Sequence, residues 1–187
     1  VAFFGEGAVN EGVFYETLNI AALYNLPVAF ICENNGYSTH MPINRILKDI
    51  DISKKAKALG VPALKLDGNN VLEIFESAKK YISQIRDGKG PILFECSTYR
   101  WKGHVGPSDD IDKGLRSQKE LDHWKGRCPI RIFENSLFGK GILTPVKRQQ
   151  VFNEIDEAVS DAVDFAEHSI LPSAEMLEND VYRKTPL

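Results

Sequence analysis

The sequence predicts an α/β fold: a parallel sheet with helices on both faces, followed by a helical C-terminal extension. Three observations predict it. Short apolar runs ("VAFF", "VAFIC", "PALKL", "ILFEC") alternate with segments of helical periodicity, turn formers separate them, and from Ser117 onward only helical patterns remain.

"VAFF" reads as a strand ending at Gly5, and the Gly5-Glu6-Gly7 turn leads into a helical pattern from about Asn10 to Tyr24. Phe14, Leu18, Ala21 and Ala22 share one face of that helix. After Pro27, "VAFIC" is too short for a helix and suits a strand buried on both faces. "ENNGYSTHMPINRI" is rich in turn formers and reads as a loop. "SKKAKALG" predicts a short helix with Ser53 as its cap and Gly60 at its end, leading to the strand "PALKL" and the turn "DGNN". A longer helix runs from about Val71 to Arg86, with Ile74, Ala78, Tyr81 and Ile85 on one side. It stops at "DGKGP", and "ILFECSTYR" is another buried strand. Then come "SQKELDHWK", "PIRIFENSLF" and a long helix in which Phe152, Ile155, Val159, Ala162 and Ala166 form an apolar stripe. The expected division is an α/β core with its loop over about 1–116 and a helical region over about 117–187.

With 187 residues, 43% of them hydrophobic, the chain has material for a packed core. A net charge of −3 argues against a general nucleic-acid binder, which needs a basic surface to displace counterions from phosphates. No apolar stretch reaches the roughly 18 residues of a membrane span. Cys32, Cys96 and Cys128 form no CxxC pair, and buried free thiols in a reducing compartment are expected. The chain lacks an initiator Met and opens inside a strand-like run, so it reads as a fragment.

Ligands of parallel α/β sheets bind outside the carboxyl ends of the strands. Three strand ends carry polar residues suited to that: "GEGA", "ENNGY" and "STYRWKGHVGPSDD"; "DGNN" reads as a turn alone. A glycine-rich turn opening a helix presents unpaired amides to an anion, although glycines also simply serve tight turns. One reading is a dinucleotide site with Glu33 as the ribose-binding acid, but Asn10 stands where the fingerprint has its third glycine. The other joins two strand ends around a diphosphate and Mg²⁺, a cation that takes six oxygens. Glu6 offers a carboxylate, Asn35 an amide oxygen, and the loop after it a backbone carbonyl.

The stretch "GEGAVNEGVFYETLNIAALYNLPVAFICENNGY" resembles the thiamine-diphosphate motif, and "TYRWKGHVGPSDD" is similar to a mobile active-site loop of the same family. The family is the alpha subunit of the decarboxylating component of 2-oxoacid dehydrogenase complexes, which includes pyruvate, branched-chain and acetoin dehydrogenases. The resemblance implies the thiamine-diphosphate-binding fold, with the whole chain, 1–187, as the C-terminal part of one such domain. It implies Mg²⁺ ligation by Glu6, Asn35 and the backbone carbonyl of Tyr37. Gly7 and Ala8 would donate amides to the diphosphate. His104 would be the catalytic residue of the closing loop, with Arg100 nearby. His40, His123 and His168 match no such motif, and surface or structural roles are expected for them.

Two departures stand out: Glu6 replaces the usual Asp, and Val105 follows His104 where kinase-regulated members carry a phosphorylatable Ser, leaving Ser108 as a loop hydroxyl. The implied activity is decarboxylation or cleavage of a small 2-oxo acid or acetoin, with the acyl group passing to lipoamide. Implied partners are a beta subunit in an α2β2 assembly, which supplies the acid activating the cofactor, and a lipoyl acyltransferase core. The implied compartment is the cytoplasm, or the mitochondrial matrix in a eukaryote. Two other readings stay open: a nicotinamide-dependent oxidoreductase, and a catalytically inactive interaction subunit.

Overall fold

The computed structural model describes residues 1–108, 110–111, 114–174 and 176; Asp109 of the loop and the end of the expected helical region lie outside the described residues. The four expected strands pair in one parallel sheet. They are β1 (Ala2–Gly5), β2 (Ala29–Asn34), β5 (Ala63–Asp67) and β6 (Ile92–Ser97), in the order β1-β2-β6-β5. β3 (Tyr37–Ser38) and β4 (Met41–Pro42) make a small antiparallel ladder in the loop after β2.

Helices cover both faces. On one, α1 (Gly12–Leu23) and α2 (Ile52–Ala58) bury Phe14, Leu18, Ala21, Ile52 and Ala56 against Phe30, Cys32 and Leu93. On the other, α3 (Val71–Arg86) brings Ile85, Ile74 and Tyr81 onto Ala29, Leu66, Phe94 and Cys96. The alternation of side chains along β2 and β6 therefore feeds two cores, which is why both strands read as continuous apolar runs. β1 is an edge strand, and its Phe3 is 69% exposed. All three cysteines are free and buried. Burial, with nearby carboxylates adding to it, pushes the Cys32 thiol up, and pushes Cys96 up to about 11.

Two expected helix starts shift. A one-turn 3-10 helix (Glu6–Asn10) follows β1, and Glu11, in extended conformation at φ −85° and ψ 139°, separates it from α1. The Gly-Glu-Gly turn thus does not open α1 directly. The cap of α2 is Asp51, whose side chain accepts from Lys54 N–H at 3.0 Å, rather than Ser53. Ser53 lies one residue inside the helix, and its hydroxyl donates back to Asp51. Gly60 closes this segment at φ +81°, and α3 has the expected bounds with Asn70 as its cap.

The compact α/β unit runs from Val1 to Ser136, so it continues well past the expected boundary at 116/117. Its later part holds α4 (Gln118–Gly126), tied in by Tyr99 stacked on Trp124 at 5.6 Å and by Asn69 donating to the Arg127 carbonyl at 2.8 Å. The pattern in "SQKELDHWK" is helical, as expected, but its aromatic and polar faces belong to the sheet unit. Helix α5 (Pro129–Gly139) spans the division. The second unit, from Leu137, is built on α6 (Pro145–His168), capped by Thr144. Its apolar stripe stands in the open, with Ile155 and Val159 more than half exposed. No described helix is long and apolar enough to cross a membrane.

Gly68 shows how tightly the turn "DGNN" is seated: its N–H donates to the Ser97 carbonyl at 2.8 Å, and a Cβ there would lie 2.6 Å from that oxygen. Backbone cannot yield as a side-chain tip can. Gly68→Ala in the full-length chain is expected to lower the unfolding free energy by about 1–3 kcal/mol, read as a lower urea midpoint at unchanged slope.

Candidate functional site

The strand order puts the three polar strand ends side by side, because β1, β2 and β6 are neighbours and "DGNN" ends the outer strand β5. Outside the ends of β1 and β2 lies a cleft of about 360 Å³, lined by Gly5, Glu6, Gly7, Ala8, Glu11, Asn35, Tyr37, Ser38, Thr39, Arg100 and His104. Every residue that the resemblance singles out as cofactor-binding, metal-binding or catalytic is among them. Glu33 is not, which removes the acid of the dinucleotide reading. Glu11, Ser38 and Thr39 were not anticipated.

Glu6 is completely buried. Its Oε2 accepts the Asn35 N–H at 3.0 Å, while Oε1 is buried with no hydrogen-bond partner. An unmatched carboxylate oxygen out of water is costly unless a cation or donor meets it. In the turn that follows, Asn34 Oδ1 accepts from Gly36 N–H and Asn35 Oδ1 accepts from Tyr37 N–H, each at 3.2 Å, and Gly36 takes φ +82°. Two consecutive side-chain oxygens thus fold the chain back and hold Asn35 over Glu6. Among the described residues no group of three or more His, Cys, Asp or Glu gathers. A cation here would rest on one carboxylate with amide, carbonyl and ligand oxygens, a donor set that suits Mg²⁺ rather than zinc.

The glycines divide by cause. A Cβ on Gly7 would meet the Ser38 Oγ at 2.5 Å, so that glycine admits β3 against the turn. Gly5 has φ −86° and ψ 163°, open to any residue, and nothing within 4 Å of its missing Cβ. Its lack of a side chain leaves space in the cleft that the fold does not fill. That is the cradle a close-lying diphosphate needs. The residues present fit thiamine diphosphate with Mg²⁺ on these grounds: an unmatched buried carboxylate oxygen, an open glycine, and amides at the start of a helical turn.

His104 and Arg100 come from the segment after β6. Arg100 Nη1 lies 3.3 Å from His104 Nδ1, and its Nη2 donates to the Thr39 carbonyl at 2.9 Å. A guanidinium has no lone pair to offer, so Nδ1 accepts and the ring proton sits on Nε2. The His40 ring stands 6.3 Å from that of His104; His123 and His168 lie outside the cleft lining.

Arg116, unremarked in the sequence, anchors the loop from beneath. Its side chain is 1% exposed and pairs with Asp110 at 2.6 Å. It also donates to the carbonyls of Arg100 and Lys102 and lies 4.9 Å over the Tyr99 ring. Burial resists ionisation of Asp110, but the Arg116 hydrogen bond and charge outweigh it and hold its pKa below the usual value. Tyr37 is fixed at its far end by donating to Glu120 at 2.7 Å. Burial first, and Glu120 second, push its phenol up.

A depressed folded-state pKa gives Asp110 a stabilising contribution that is complete above the unfolded aspartate value of about 3.9 and is lost as pH falls through the lowered one. Hydrogen exchange of residues 100–108, corrected for intrinsic rate, should rise through that acid window. Asp110→Asn should show the raised exchange already at pH 7. Equal protection in variant and wild type would mean that the pair does not hold the loop.

Comparison with known proteins gives a consistent result. Residues 1–175 match the family model described as dehydrogenase E1 component. The chain is 39% identical over 180 residues to the pyruvate dehydrogenase E1 component subunit alpha-3, chloroplastic, of Oryza sativa subsp. japonica, covering 96% of this chain and 42% of that protein. It is 35% identical over 182 residues to the alpha subunit of an acetoin:2,6-dichlorophenolindophenol oxidoreductase of Bacillus subtilis, covering 97% of this chain and 54% of that protein. It is also 35% identical over 181 residues to the 2-oxoisovalerate dehydrogenase subunit alpha of the same bacterium, with 97% and 54% covered. The chain therefore spans about half the length of these curated relatives, or less.

Proposed function

The chain belongs to the dehydrogenase E1 component family, and from that premise we propose that it is the cofactor-holding part of the alpha subunit of a thiamine-diphosphate-dependent 2-oxoacid or acetoin dehydrogenase. The observation that carries the cofactor site is the buried, unmatched Oε1 of Glu6 in a cleft floored by an open glycine. Glu6 Oε1, Asn35 and the Tyr37 carbonyl would hold a Mg²⁺ ion, which would supply the positive charge that the unmatched oxygen and a diphosphate both call for. Glu6 does the work of the usual Asp with one more methylene, and its second oxygen, bonded to Asn35 N–H, fixes the carboxylate's orientation.

Gly7 and Ala8 bind the diphosphate through their amides. When bound, the cofactor would supply the carbanion-stabilising chemistry of decarboxylation or carbon–carbon cleavage, with lipoamide as the proposed acyl acceptor. His104 provides a proton on Nε2 at the cleft, while Arg100 holds the ring by its other nitrogen and adds positive charge beside the diphosphate. Tyr37, anchored on Glu120, and Thr39, anchored on Arg100, close the wall between them. The acid that activates the cofactor's ring comes from a beta subunit in an α2β2 assembly, and the acyl acceptor belongs to a lipoyl acyltransferase core. The proposed compartment is the cytoplasm or, in a eukaryote, the mitochondrial matrix; plant relatives named as chloroplastic add the plastid.

In the full-length chain assembled with its partner subunit, thiamine diphosphate plus Mg²⁺ should raise the melting temperature, by the equivalent of about 2.7 kcal/mol at a hundred times Kd. Asn35→Ala should abolish that shift and Glu6→Gln should weaken the cation's part in it, whereas Glu6→Asp should keep it. A catalytically inactive interaction subunit predicts assembly with no shift in any of the four proteins. For His104→Ala the expectation is a loss of turnover larger than the loss of cofactor affinity. Wild-type acyl transfer in that variant would remove His104 from the mechanism.

A further inference from the structure

The metal–diphosphate turn has a second buried acid behind it. Glu95 lies in the middle of β6 with no exposed surface, yet it faces no cleft-lining residue directly. Its Oε1 accepts from Asn34 Nδ2 at 2.9 Å and has the Lys65 ammonium at 3.6 Å; its Oε2 accepts from the Ser53 N–H at 2.9 Å. Asn34 in turn accepts from Gly36 N–H through Oδ1. With its Nδ2 fastened to Glu95, the Asn34 amide has a single orientation that presents Oδ1 to Gly36. Asn35 and Tyr37 are therefore held from two sides. Glu6, just after β1, grips the Asn35 amide, and Glu95, through Asn34, grips the Gly36 amide from β6.

We propose that Glu95 is the positioning carboxylate of the cation site, setting the place of Asn35 and of the Tyr37 carbonyl through the side chain of Asn34. This rests on the cofactor reading above. The physical reason is that Mg²⁺ demands near-octahedral oxygens at about 2.0–2.1 Å and gives little tolerance to a ligand turn that drifts. Outer partners that orient ligands typically govern metal affinity by about 10–100-fold. A carboxylate accepting from several donors cannot be replaced by an amide without setting one donor against another. Lys65, half exposed, and the start of α2 compensate its charge without touching the turn.

The test uses the assembled full-length protein with thiamine diphosphate, and Mn²⁺ as a spectroscopic stand-in for Mg²⁺, its dissociation constant read by electron paramagnetic resonance. Glu95→Gln and Asn34→Ala should each weaken Mn²⁺ about tenfold. The double variant should be no weaker than either alone, because both break one link. Lys65→Met should leave the affinity within twofold of wild type, since it touches Glu95 only from outside. If Glu95→Gln does not fold, Asn34→Ala decides alone: an unchanged constant overturns the proposal. Lower melting temperatures with unchanged Mn²⁺ affinity, or losses that add in the double variant, also overturn it and leave Glu95 a structural residue. If the wild type binds neither thiamine diphosphate nor Mn²⁺, the cofactor reading itself fails, a result distinct from equal binding by wild type and variants.

Discussion

A single hydrogen bond, 3.0 Å from the Asn35 amide to a buried oxygen of Glu6, joins the ends of β1 and β2 and sets the geometry of the cleft. It uses one carboxylate oxygen and leaves the other with nothing in the chain to meet it. A charge removed from water and half matched is unfavourable by itself. The parallel pairing of Gly5 with Glu33 brings the two strand ends level, so the acid and the amide meet without bending either strand. The sheet thus holds a locally unfavourable arrangement in place, one that a positive ion would make favourable.

The loop from Arg100 to Ser108 is held by different physics. Its backbone carbonyls are collected by one buried guanidinium, whose charge is matched by Asp110 and whose flat face lies on Tyr99. Tyr99 stacks on Trp124 of α4, and Tyr37 reaches Glu120 on the same helix. The loop after β6 and the turn after β2 are consequently braced by one helix that comes after both in the chain. This explains why the compact unit extends beyond the last strand.

The sheet, its helices and the polar strand ends were legible because apolar runs and turn formers are local signals, whereas Gly7, Ala8, Arg100 and His104 were singled out by the resemblance alone. The strand order was not. That β6 inserts between β2 and β5 is a fact of tertiary pairing, and it is what makes the polar ends of β1, β2 and β6 neighbours. The cap at Asp51 was missed because Ser53, an equally good capping residue, stands two positions later. Arg116 was invisible, being one cation among many in a charged stretch whose burial depends on aromatic partners far away in sequence. Glu95 left a readable trace: an acid inside an otherwise apolar strand has no reason to be there unless something buried needs it. The 3-10 turn after β1 could not be told from the first turn of α1, because both place side chains at similar spacing.

The cysteines of the sheet have a bearing on the sulfur chemistry of the proposed reaction. A dithiol carrier arriving at this cleft in its oxidised form is open to attack by any nearby thiolate. Cys32 and Cys96 sit in the two central strands, shut in by apolar neighbours and surrounded by carboxylates that disfavour a further negative charge. With Cys96 pushed up to about 11, on the order of one molecule in ten thousand carries a thiolate there at neutral pH. Thiol–disulfide exchange needs both that ion and access, and these strands provide neither. The same buried acids and apolar packing that lie behind the cleft therefore keep the sheet's own sulfurs from reacting with a disulfide brought to it.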